Sequence, residues 1–189
     1  MSKNLIEQIQ EKLQFPALQK VDANTEEVKY ELHAPNENRF CQAAIPTVLV
    51  GLATFTRHNK EVESLSKNLM TNQFMDLIFG EAKAEVINKV ADYSKYSYNE
   101  AETVMNVIAK NAIEFMNDAL KEDRSEQQII NFFEEQKNNF LTYLPNELKI
   151  GQSLNNDIID DDTHKMEGPI SSIMHALSNT FSTTEITKK

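Results

Sequence analysis

Residues 39–57, RFCQAAIPTVLVGLATFTR, limit what this chain can fold into more than any other stretch. Phe40, Ala43, Ala44, Ile45, Val48, Leu49, Val50, Leu52, Ala53 and Phe55 leave almost no polar face at helical spacing. A helix that is apolar nearly all round has to be enclosed by other elements, so this spacing predicts the central helix of a bundle. Pro46 has no N–H for the i to i−4 ladder and predicts a kink or a first helical turn at that point. Gly51, just over one turn later, lets a neighbouring helix come close.

The rest of the chain supplies the helices that would enclose it. Only four Gly and five Pro interrupt 189 residues rich in Glu, Lys, Gln, Asn, Ala, Leu and Ile, which points to an all-α, multihelical bundle or array of about six to eight helices. Leu5, Ile6, Ile9 and Leu13 share one helix face, which ends before Phe15-Pro16. Residues 21–38 lack a sustained period and read as a loop, with Val28, Tyr30 and Leu32 alternating briefly as one extended piece before Pro35. Leu65, Leu69, Phe74, Leu77, Ile78 and Phe79 give two helices broken at Thr71-Asn72 and stopped by Gly80. A further helix over 82–93 leads to the Tyr-rich turn SKYSY.

Ser97 with Glu100, and Ser125 with Gln128, have the spacing of capping boxes. They open helices whose apolar faces run from Ala101 to Leu120 and from Ile129 to Leu141, the second stopping near Leu144-Pro145. The expected organisation is a main helical domain over 1–150, an acidic linker over 151–169, and over 170–189 a short helix at 170–177 with a frayed tail.

The segment CQAAIPTVLVGLATF resembles the signature of the YidB-like family of bacterial proteins of unknown function, at Ala44, Ile45, Pro46, Leu49, Gly51 and Leu52. The pattern of a Gly-bounded helix, a turn and a Ser-capped apolar helix over 77–116 is similar to the next part of that family's pattern, as is NFFEEQKNNFLTYLPNEL further on. The chain departs from the family in composition, with Asn, Glu and Lys where relatives carry Gly and Ala. The resemblance implies a multihelical fold and carries over no site.

Charge and chemistry narrow the function. Nineteen basic and twenty-nine acidic residues leave a net charge of −10, which disfavours nucleic acid and anionic membrane surfaces. The single cysteine, Cys41, makes no disulfide framework, the N-terminus lacks a signal-peptide core, and no run reads as apolar enough to span a bilayer, so a cytoplasmic protein is expected. Asp157, Asp160, Asp161, Asp162 and His164 are oxygen-rich, but a calcium loop starting at Asp160 would carry Lys165 for its Gly and Ser171 for its terminal Glu. A solvated acidic linker without metal is the expected state.

Cys41, flanked by His33 and His58, reads as a small buried hydrophobe with a raised pKa rather than a nucleophile. The carboxylate pairs Glu61/Glu63, Glu100/Glu102 and Glu134/Glu135 read as solvated helix faces. No phosphate-cradling Gly loop, HExxH or ExxH motif occurs, so no enzyme and no cofactor is expected. The acidic start of the helix after Ser97 removes a helix-turn-helix reading.

The expected function is a non-enzymatic all-α protein–protein interaction module. Its apolar faces around 40–55 and 104–120 would be completed by a second copy in a homo-oligomer or by a protein partner. The alternative is a helical carrier that binds a small apolar ligand between helices. Pro46, Leu49, Gly51 and Leu52 would be its pocket or interaction residues, with Tyr93, Tyr96 and Tyr98 forming a contact patch.

Overall fold

The computed structural model describes residues 4–22, 28, 35–59, 62, 65, 73–121 and 123–154. The fold is all-α and multihelical, and there is no strand among the described residues. The extended piece expected at 28–32 lies outside them save for Val28. So do most of the stretch 60–72 and everything after Leu154, including Asp157–His164 and the helix expected at 170–177.

Helix α1, Leu5–Leu13, starts at Asn4, whose side chain accepts from the Ile6 N–H. Helix α2, Asn36–His58, is 23 residues long and begins after Pro35, whose fixed φ of −56° leads the chain into the helix. Pro46 lies well inside it rather than in its first turn, so the Gln42 carbonyl loses its ladder donor there. Around α2 pack helix α3 (Phe74–Phe79), α4 (Lys83–Ser94), α5 (Tyr98–Leu120) and α6 (Glu126–Leu141). Every residue of α2 from Phe40 to Ala53 is buried. That enclosure is the reason for its composition.

By length and hydropathy α2 would pass for a bilayer-spanning helix, which corrects the expectation that no segment reaches that threshold. Eighty-nine per cent of its apolar window is buried inside the fold, so the protein's own helices take the place a lipid would have.

A buried polar residue ties the non-helical segment after α1 to this axis. The Gln42 Oε1 accepts from the Gln19 N–H at 2.8 Å, and its Nε2 donates to the Gln19 carbonyl at 2.8 Å and the Tyr143 carbonyl at 2.6 Å. One side chain, 1% exposed, thus satisfies backbone groups from both ends of the described chain. The Val21 N–H, donating to the Thr142 carbonyl at 3.0 Å, continues the same seam.

Gly80 closes α3 with φ +50°, a left-handed conformation that a glycine adopts without strain, and a short 3-10 turn leads on to α4. Of the two expected capping boxes one forms. At α5 the Ser97 hydroxyl accepts from the Glu100 N–H and the Glu100 carboxylate accepts from the Ser97 N–H at 2.9 Å. At α6 the Ser125 side chain makes no capping bond, and its N–H donates instead to Asp123 Oδ1, which takes the donor that Gln128 would have needed.

The Ser97 hydroxyl and N–H hold the Glu100 carboxyl below the usual carboxylate range. Its folded-state value is the lower one, so the box contributes stability above the ordinary carboxylate value and loses it as pH falls through the folded value. Ser97→Ala should cost about 1 kcal/mol in denaturant melts at neutral pH. The gap from wild type should shrink on acidification, and a gap that stays constant with pH would show that the carboxylate takes no part.

After α6 the chain turns at Leu144-Pro145, as expected, and makes a one-turn helix α7, Ile150–Ser153. Ile150 and Gly151 are buried there, so the packed body runs on through Leu154, past the boundary drawn at residue 150.

Candidate functional site

Pro46, Leu49, Gly51 and Leu52 all lie in the interior, with both leucines 0% exposed. A Cβ placed on Gly51 would stand 2.5 Å from Phe79 Cε1 and Cζ and 2.8 Å from Ile78 Cγ2. The close approach that this glycine permits is therefore made, and by α3. The same contact fills the room that a pocket at Gly51 would need.

A concave site of the described surface lies on the far side of that contact. At the C-terminal end of α2 a cleft of about 370 Å³ opens between α2, α3 and α7. Phe55, Leu77, Ile78, Phe79 and Leu154 give it apolar surface, and Thr54, His58, Asn59, Glu81 and Ser153 give it polar surface. Leu77 is half-buried, whereas Phe55 and Ile78 keep only 8% and 7% of their surface exposed, so core residues form part of the cleft's lining. A notch between α2 and α6 has room for no more than one water, at about 10 Å³. A surface groove on α1 is edged by Glu7 and Glu11, which suits apolar surface poorly.

The α7 wall of the cleft is tied to α4 by a compact polar cluster. Lys89 Nζ donates to Ser153 Oγ at 2.6 Å and to the Lys149 carbonyl at 3.1 Å, and pairs with Glu85 Oε1 at 2.9 Å. The Ser153 hydroxyl donates to Glu85 Oε1 at 2.6 Å. These bonds, Ser153 first and Lys89 next, hold the Glu85 carboxyl below its ordinary range.

Tyr93, Tyr96 and Tyr98 are half-buried and packed on the core rather than projecting as a patch. The Tyr96 ring stacks on Phe40 at 4.5 Å, and burial followed by the charge of Glu37 pushes its hydroxyl pKa up. The Cys41 thiol is fully buried, and burial with Glu37 nearby pushes it up to about 12, which leaves it protonated and unreactive. His58 lies at the other end of the same helix, about 25 Å along the axis, out of reach of Cys41, and His33 lies outside the described residues.

The carboxylates serve structure. Glu100 caps α5, Glu102 pairs with Lys83 at 2.5 Å and Glu134 with Arg57 at 2.6 Å, while Glu61 and Glu63 lie outside the described residues. No group of three metal-ligating side chains occurs among the described residues. Among the described residues two buried side-chain oxygens, Thr47 Oγ1 and Asn117 Oδ1, have no hydrogen-bond partner, and neither lines the cleft.

The cleft, Lys89 and Ser153 were not legible in the sequence. Lys89 and Ser153 are 64 residues apart, and no local pattern joins them. Gln42 did carry a signal, as a lone amide in a run of apolar residues. No protein-family model, curated protein or solved structure matches this chain.

Proposed function

We propose that the chain is a non-enzymatic helical carrier that binds a small apolar ligand in the cleft between α2, α3 and α7. The observation that carries this reading is the cleft itself. Its volume of about 370 Å³ lies within the roughly 300–1,000 Å³ of small-molecule sites, and its lining joins apolar side chains with polar ones in near-equal measure.

The faces that would favour self-association are covered by the chain's own helices. Residues 40–55 are enclosed by α3 to α6, and over 104–120 Val107, at 42%, is the one large hydrophobic that stands exposed among the described residues. Scattered exposure of that kind is ordinary for a monomer's surface.

A native mass spectrum tests the reading. One copy of 21.6 kDa with a reproducible added mass is the expected result. Leu77→Trp, which fills the cleft, should abolish the added mass, and Val107→Trp on the outer face of α5 should keep it. A multiple of the chain mass with nothing added would favour the self-associating interaction module instead.

A further inference from the structure

We infer that Lys89 is a positioning residue for the cleft: it sets the α7 wall through Ser153 and the Lys149 carbonyl without touching the ligand space. The inference rests on the carrier reading and adds the part that holds one wall in place.

Helix α7 is four residues long, and a single turn has no stability of its own, so tertiary contacts decide where it lies. Buried Leu148 and Ile150 attach it to the body, but apolar contact is non-directional and does not fix how the turn is aimed. Hydrogen bonds are directional, and Lys89 supplies two of those that hold α7 to α4, with Ser153 donating a further one to Glu85. Its ammonium donates to the first carbonyl before the turn and to the hydroxyl at the turn's end. It thus grips α7 at both ends.

Glu85, one turn before Lys89 on α4, accepts from both Lys89 and Ser153 and closes the cluster. Lys149 also takes a left-handed backbone, φ +46°, which a non-glycine residue adopts at a cost. The bond from Lys89 to its carbonyl offsets part of that cost. Ser153 and Leu154 line the cleft from α7 and the residue after it, so what fixes α7 fixes that wall. Lys89 itself does not line the cleft.

The test is equilibrium binding of the neutral fluorescent probe N-phenylnaphthylamine to the full chain. Lys89→Met keeps the stem and removes the ammonium, and it should weaken probe affinity by roughly tenfold through the loss of charge-assisted hydrogen bonds. Lys89→Arg, which retains donors at that position, should restore most of it. Ser153→Ala should weaken binding in the same direction by about threefold, and it decides the matter if Lys89→Met fails to fold.

Wild-type affinity in a folded Lys89→Met and in Ser153→Ala overturns this inference alone, because the cleft then binds without the grip. An equal loss in Lys89→Met and Lys89→Arg also overturns it, since any change at the position would then act through general stability. No probe uptake by the wild-type chain overturns the carrier reading and this inference together.

Discussion

Leu52→Asp, and equally Leu49→Asp, should leave no cooperatively folded protein. Both leucines are 0% exposed in the middle of α2, where helices from every side close over them. Exchanging either for a carboxylate forfeits about 2–3 kcal/mol of apolar burial and places an unpaired charge, or a carboxyl forced to protonate, among hydrocarbon. The combined cost exceeds about 5 kcal/mol, which is the scale of a whole domain's stability. Thermal scans by circular dichroism should show no cooperative transition. A variant that melts within a few degrees of wild type would place these leucines on an external face and revive association through residues 40–55.

The second large effect is expected at Gln42. In Gln42→Leu the volume is nearly kept, but the Gln19 N–H, the Gln19 carbonyl and the Tyr143 carbonyl all lose their partner at a part-buried seam. Gln19 is exposed, so water takes up part of what is lost, and the variant should lose roughly 2 kcal/mol rather than the full penalty of three buried groups. The melting temperature should fall by about 4–8 °C for a chain of this size. The loss should also be local in its first effect: the segment around Lys20 should be cut by trypsin faster than the helices. Unchanged cleavage at Lys20 together with an unchanged melt would show that Gln42 does not hold the seam.

Gln42 also shows where a sequence reading stops. Its isolation within an apolar run marks it as unusual, but its partners lie 23 and 101 residues away. Nothing local identifies them. Gly51 was the more readable residue, because a missing side chain on a buried helix implies close approach. That the approaching element is α3, and that Phe79 and Ile78 occupy the space, depends on how the chain returns across α2. That contact leaves no room for a pocket at Gly51. The cleft formed instead on the outer side of the residues that filled it.

The sequence by itself determined the helical class and the role of α2 as the enclosed axis, because apolar spacing with few breakers admits little else over residues 36–58. It also determined the first turn of α5, since Ser97 and Glu100 are three residues apart and satisfy one another without help from the fold. The same grammar failed at Ser125, where Asp123, equally local, competed for the donor and won. Only the tertiary structure decided what covers the apolar faces, where the cleft opens and that Lys89 grips α7. Spacing along one helix says which residues need burial or a partner. The partner comes from whichever distant segment the chain brings back.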